Sequence, residues 1–245
     1  MPGQGHGRPA SHRDAKPFAG EARFGCAERS WPFPPAGCSD VSIYHHYIFP
    51  WLLDWAMSSR GLHAPRDRAL APATGRILEI GFGTGLNLAH YPPGVRRIEA
   101  IDPDVDLDRF SAPRIAAAEI EVDFHHLDAE HMPFPSASFD TVVSTFTLCS
   151  IPDVAHALAE VRRVLKPGGR FLFLEHGLAP AARIARWQRR LTPLQRRLGG
   201  GCHLDRPVRE IVGGSGLELG AVKNYYCKAM PPLARYLTEG HATKR

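Results

Sequence analysis

The sequence contains no C-x-x-C pair. Its five cysteines, Cys26, Cys38, Cys149, Cys202 and Cys227, are odd in number and widely spaced. That pattern argues against a disulfide framework or a zinc site and favours a reducing, cytoplasmic setting. No apolar run approaches the roughly 18 residues that span a bilayer, and no signal-peptide core opens the chain. A soluble protein is expected, or one held peripherally at a membrane. The pairs His45-His46 and His125-His126 lack the i, i+4 spacing of helical metal ligands, so no metal is expected.

What is present suits a packed α/β protein. Of 245 residues, 44% are hydrophobic, enough for one large domain with a short cap. The formal charge of +5 is modest and unevenly spread. No recognised nucleic-acid-binding module accompanies it, so nucleic acid is not an expected partner. The oligomeric state is not legible.

Residues 1–40, rich in Gly, Pro, Arg and Ala, read as an irregular arm. Residues 41–75 read as a helical cap and a polar connector. In the cap, Ile43, Tyr47, Trp51 and Trp55 recur every four residues and share a helical face, for which ordinary packing is the favoured use. Pro50 is expected to kink or split this helix. Residues 76–245 then alternate strands with helices. Strands are expected over 76–80, 97–101, 121–127, 140–146 and 170–174, with two more over 217–225 and 237–244. The clearest helix is 153–166, with Asp153 as N-cap and Pro167-Gly168-Gly169 as its stop. Such alternation implies a doubly wound, mostly parallel sheet.

The run Glu79-Ile80-Gly81-Phe82-Gly83-Thr84-Gly85 leads a strand into a turn. Glycines there reach positive φ and let a ligand approach the backbone. A dinucleotide fingerprint needs its third glycine five positions after the first, where Leu86 stands. Asp102 ends the next strand, about 20 residues beyond Gly81, where a carboxylate accepts hydrogen bonds from ribose hydroxyls.

The Glu-x-Gly-x-Gly-x-Gly pattern resembles motif I of class I S-adenosylmethionine (SAM)-dependent methyltransferases. Three further segments carry the resemblance: His126-Leu127-Asp128-Ala129-Glu130, the start of a strand at Ser138-Phe139-Asp140, and Leu165-Lys166-Pro167-Gly168-Gly169. The resemblance covers residues 75–175 and implies a Rossmann-like, seven-stranded, mostly parallel sheet with a reversed last strand. It implies SAM as cofactor and S-adenosylhomocysteine as product. Glu79, Gly81, Gly83 and Gly85 would hold the methionine moiety, Asp102 the ribose, and Asp128 with Ala129 the adenine, with Thr145 opening toward the cofactor.

The C-terminal half carries Leu148-Cys149-Ser150, Glu175-His176 and Gly201-Cys202-His203-Leu204-Asp205-Arg206. These segments resemble the small thiol methyltransferases of the animal endoplasmic reticulum and their bacterial relatives (methyltransferase type 11). The implied acceptor is a small molecule, whether a thiol, a lipid head group or another metabolite. The apolar membrane anchor of the animal enzymes has no counterpart in residues 1–40. His176 stands at the active end of the sheet, as a general base near neutral pH or as a loop-holding histidine. Tyr44, Cys202 and His203 are the expected pocket residues, with a structural role for Cys202 equally open. Two other readings stay open: a non-catalytic SAM-binding protein, and a nicotinamide oxidoreductase, which Leu86 disfavours.

Residues 183–197 carry Arg183, Arg186, Arg189, Arg190, Arg196 and Arg197 and no acid. Ile184, Trp187, Leu191 and Leu194 fall at helical spacing, and Thr192-Pro193 is expected to cap a second short helix. Such a helix covers the sheet with its apolar stripe or lies on an anionic membrane surface.

Overall fold

The computed structural model describes residues 43–245. The arm expected over 1–40 lies outside them, as do the first residues of the cap.

Seven strands form one sheet in the order β3-β2-β1-β4-β5-β7-β6. They are β1 (Ile77–Ile80), β2 (Arg97–Ile101), β3 (Glu121–His125), β4 (Phe139–Thr145), β5 (Leu165–His176), β6 (Glu218–Tyr226) and β7 (Tyr236–Thr243). β1 to β5 pair in parallel, and β7 runs antiparallel to both β5 and β6. The expected reversed strand is therefore β7. Every residue of β1 is buried, as a central strand covered on both faces requires.

Two cores sandwich the sheet. On one face Leu78, Ile80, Val142, Phe171 and Phe173 pack under helix Val154–Val164. On the other Ile77, Ile98, Ala100, Val143 and Leu172 meet Leu70 and Tyr91. The helix 154–164 forms as its pattern predicts. Asp153 Oδ1 accepts from the His156 amide at 3.0 Å, and Ala157, Leu158, Val161 and Val164 are buried. β5 starts directly at Leu165 and runs on to His176, longer than expected, because β7 pairs with it out to Leu237.

Three expectations fail. The polar connector contains a tight turn at Arg60–Leu62 and a helix at His63–Leu70. Leu62 and Leu70 are fully buried, and Arg66 points inward, so its polarity misleads. Arg66 Nε donates to Asn87 Oδ1 at 3.1 Å and Nη1 to the Met57 carbonyl at 2.9 Å. The second failure is in the cap. The segment does split at Pro50, as expected, into a short π-helix, Tyr44–Ile48, and an α-helix, Phe49–Met57, with Pro50 in its first turn. The face shared by Ile43, Tyr47, Trp51 and Trp55 is not packed: Trp51 is 56% and Trp55 70% exposed. Third, Thr192-Pro193 caps nothing, because one helix runs from Ala182 to Leu198. Thr192 Oγ1 bonds back to the Gln188 carbonyl at 2.8 Å, and the helix passes through Pro193. This helix buries Ala185, Gln188 and Thr192, while Trp187 and Leu194 are 50% and 55% exposed among the arginines.

Candidate active site

The carboxyl ends of β1, β2, β4 and β5 meet at the glycine turn. Gly81, Gly83 and Gly85 all have positive φ, at 68°, 57° and 77°. Each plays a different part. The Gly81 amide continues the sheet by donating to the Ile101 carbonyl at 2.9 Å. A Cβ at Gly81 would overlap the Thr147 side chain, and one at Gly85 would press the Phe82 ring. A Cβ at Gly83 would enter open space, its nearest neighbour the Gly81 carbonyl at 4.0 Å. A bare, open stretch of backbone of this kind fits a ligand lying along the turn.

Asp102 closes one side of that space. Its Oδ2 accepts from the Gly83 amide at 2.8 Å and its Oδ1 from the Asp104 amide at 2.9 Å. Each oxygen keeps a lone pair for a further donor, such as a ribose hydroxyl. Burial lifts the Asp102 pKa to about 6, against the pull of those two amides.

Glu79 lies beneath the turn. Its carboxylate accepts from Asn87 Nδ2 at 2.8 Å and from the Tyr91 hydroxyl at 2.7 Å. Burial raises its pKa to about 7, opposed by Tyr91, Asn87 and the charge of Arg66. Asn87 Nδ2 also reaches Thr145 Oγ1 at 2.8 Å, so Glu79, Asn87 and Thr145 form one network. Arg66, Asn87 and Tyr91 escaped the sequence reading. The signal for Asn87 was its place on the turn Leu86–His90 that leaves the glycine loop.

Asp128 and Ala129 follow β3. Asp128 Oδ1 accepts from the His131 amide at 2.7 Å, which fixes that loop, and Ala129 is buried. Arg114 steadies the other flank. It donates to the Thr84 carbonyl at 2.8 Å while gripping both oxygens of Asp54, at 2.6 and 3.1 Å. Through Asp54, the helix Phe49–Met57 is tied to the glycine loop.

Across the ends of β4 and β5 lies a second group. Phe146, at φ 55°, turns the chain sharply after β4. Such a conformation is costly for a bulky residue and is held by its surroundings. Glu175 Oε1 supplies them. It accepts from Ser144 Oγ at 2.8 Å and from the amides of Thr147 and Leu148 at 3.0 and 3.1 Å. Burial raises its pKa to about 7.

His176, the last residue of β5, contacts Cys202 Sγ through Nε2 at 3.2 Å. Cys149 completes the group: the sulfurs of Cys149 and Cys202 and one His176 ring nitrogen all lie within 4.8 Å of one another. The facing Cys202 thiol holds the Cys149 pKa well below its usual range, with His176 assisting, while the Cys149 sulfur and burial push that of Cys202 up. His203 donates its amide to the Cys149 carbonyl at 2.8 Å. The buried Arg206 guanidinium donates to the carbonyls of Leu148 and Ile151. His203 and Arg206 thus lock the loop 201–206 onto the turn 147–152. The Tyr44 ring lies near that of Phe49, which sits against Gly200, two residues before Cys202.

Comparison with known proteins agrees with this arrangement. Residues 78–173 match a family model described as a methyltransferase domain. The chain is 32% identical over 185 residues to the thiol S-methyltransferase TMT1B of Homo sapiens, covering 71% of each chain. It is 36% identical over 140 residues to the TMT1B of Rattus norvegicus, a match covering 53% of this chain and 54% of that one, about half its length. Among solved structures, a SAM-dependent methyltransferase of Thermotoga maritima, a possible histamine N-methyltransferase, shares the fold. The TM-score is 0.59 at 18% identity, covering 83% of this chain and 99% of that one. With a relative 32% identical over 71% of its length and a methyltransferase-domain match across the glycine turn, the chain belongs to the SAM-dependent methyltransferases.

Proposed function

We propose that this protein transfers the methyl group of SAM to a small-molecule acceptor, a thiol first of all. The observation that carries the reading is the open cradle at Gly83, wired directly to the Asp102 carboxylate. In this reading Asp102 holds the ribose and Asp128 with Ala129 borders the adenine. The backbone of Gly81, Gly83 and Gly85 borders the methionine part. Glu79 and Thr145, linked through Asn87, set the polarity beneath the methionine amine.

SAM supplies an activated methyl group on a sulfonium, so the chain has mainly to position the acceptor and exclude water. A thiol acceptor must also lose a proton. In this reading the side chains flanking that step are His176, Cys149 and Cys202, and Tyr44 and His203 are assigned to the acceptor pocket. A thiol is favoured because soft, sulfur-bearing groups cluster there, and because the two TMT1B relatives bear that activity in their names.

A peripheral association with anionic lipid, on the cytoplasmic side, goes with this reading. Helix Ala182–Leu198 presents Trp187, Leu194 and Leu198 to solvent beside six arginines. An apolar ridge edged with guanidinium groups suits an anionic lipid surface. No helix among the described residues is long and apolar enough to cross a membrane.

The test is titration calorimetry with S-adenosylhomocysteine, followed by turnover of labelled SAM with an alkyl thiol, phosphatidylethanolamine and a hydroquinone. Binding of the homocysteine product and methylation of the thiol are expected. Absence of any binding heat in the folded protein sinks the reading.

A further inference from the structure

Cys149, His176 and Cys202 reach one point from three elements: the turn after β4, the end of β5 and the loop after helix Ala182–Leu198. Their donor atoms lie within 4.8 Å of one another, with 3.2 Å between Cys202 Sγ and His176 Nε2. In a tetrahedral zinc site, bonds of about 2.3 Å to sulfur and 2.0–2.1 Å to nitrogen put ligand atoms roughly 3.4–3.8 Å apart. The observed separations bracket that edge. Two sulfurs and one imidazole are the donor set of soft or borderline cations.

The backbone around the three ligands is fixed before any ligand arrives. Glu175 pins the amides of Thr147 and Leu148, His203 bonds the Cys149 carbonyl, and Arg206 holds the carbonyls on either side. A second observation is that the polar atoms beside these ligands are not all satisfied. His176 Nδ1 and Glu175 Oε2 are buried with no hydrogen-bond partner among the described residues. Buried polar atoms of this kind are rare without an ion or water to satisfy them.

We propose that Cys149, His176 and Cys202 bind a thiophilic divalent cation of the zinc class, leaving a fourth position for the acceptor sulfur. Three protein ligands with one open place is the pattern of catalytic zinc. His176 is then a ligand rather than the general base or loop-holding histidine that the sequence left open, and the proposal departs from the expectation of no metal. That expectation was drawn from neighbouring histidine pairs and C-x-x-C spacing, which say nothing of three residues brought together from 149, 176 and 202. On metal binding, protons still held by the two thiols pass to solvent. The acceptor thiol releases its own proton as it coordinates. Its sulfur then attacks the methyl carbon, a new S–C bond forms, and the sulfonium C–S bond breaks with its electron pair moving to the departing S-adenosylhomocysteine. The neutral thioether is a weaker ligand and leaves. This use of the metal rests on the thiol-methylation reading; the metal site itself does not.

The full chain, reduced and stripped with a chelator, is titrated with Co²⁺ alone and followed by absorption. One equivalent is expected to give sulfur-to-cobalt charge transfer in the near ultraviolet and intense visible bands. Cys149→Ser and Cys202→Ser should each weaken the charge transfer, and the double variant should abolish it. Cys227→Ser, whose sulfur faces the Gly61 carbonyl instead, should leave it intact. No sulfur-ligand band in the wild type overturns the site whatever the variants do. So does a Cys149–Cys202 disulfide whose reduction restores no metal uptake. Binding of S-adenosylhomocysteine is measured on the same sample: if it persists without metal uptake, the metal site fails and the methyl-transfer reading stands. If it too is missing, the methyl-transfer reading fails.

Discussion

The amide of Gly83 donates to Asp102 Oδ2 at 2.8 Å, joining the most open residue of the glycine turn to the carboxylate at the tip of the next strand. The bond sets the orientation of both groups before a ligand arrives. Asp102 is then presented with its remaining lone pairs outward, and the turn cannot relax without releasing it. Asp102→Ala should therefore weaken SAM binding by one to two orders of magnitude, the loss of charge-assisted bonds worth roughly 1.5–3 kcal/mol. Asp102→Asn, which keeps an oxygen, should fall between. Titration calorimetry on folded variants decides it, and unchanged affinity in Asp102→Ala removes the ribose assignment.

The glycines of the turn should separate by phenotype. Gly83→Val places its side chain in open space, so the protein should fold yet lose cofactor binding. A left-handed φ of 57° adds a strain of about 1–2 kcal/mol. Gly81→Val meets the Thr147 side chain and should instead lower the melting temperature sharply. If Gly83→Val binds SAM normally, the cofactor lies elsewhere.

Acid should weaken cofactor binding. Burial raises Asp102 to about 6 and Glu79 to about 7, above the ordinary values of 3.8 and 4.5. Groups raised in this way bind protons more tightly when folded. Their contribution to stability is thus fully present below the unfolded values and is lost as pH climbs through 6 to 7. A cationic ligand reverses the preference, because it favours both carboxylates ionised. Affinity for SAM should fall from pH 8 to pH 5.5, with protons released on binding near pH 6. Calorimetry in buffers of different ionisation heat measures that release, and a pH-independent affinity would show that neither carboxyl senses the ligand.

Much of this site was legible in the sequence because it is local. Gly81 to Gly85 and Asp102 sit at strand ends whose apolar runs announce themselves, and the helix 154–164 carries its cap and stripe in adjacent residues. The polar lining was not legible. Arg66 looks like a surface residue in a polar stretch, yet folding turns it inward to Asn87. The convergence of Cys149, His176 and Cys202 depends on strand order and on Arg206 pinning a distant loop, which no spacing encodes. Periodicity also revealed the apolar stripe of the basic helix but not its direction. The inward face is decided by Gln188, whose amide bonds Gly177, Ala179 and Leu233.

The outward stripe has a measurable consequence. If helix Ala182–Leu198 meets lipid, the protein should co-sediment with vesicles containing anionic phospholipid and much less with neutral ones. Salt at 1 M shrinks the screening length to about 3 Å and should release it. Arg189→Glu with Arg190→Glu should reduce binding several-fold, and Trp187→Ser should reduce it without changing the salt dependence. Equal binding to neutral and anionic vesicles would leave the arginines without this role.

Arg206 offers a way to separate the two halves of the site. Its guanidinium is buried against the carbonyls of Leu148, Ile151 and Pro152, with no carboxylate partner among the described residues. Arg206→Leu keeps the bulk but strands those carbonyls, a cost of roughly 1–3 kcal/mol for each one left buried and unsatisfied. The melting temperature should drop, and the turn 147–152 should loosen from the loop 201–206. The cradle at Gly83 and Asp102 makes none of these bonds, so affinity for S-adenosylhomocysteine should stay within a few-fold of normal. The Michaelis constant for the thiol acceptor should rise instead. A parallel loss of cofactor affinity would mean that the two halves are not independent and that Arg206 supports the whole carboxyl end of the sheet.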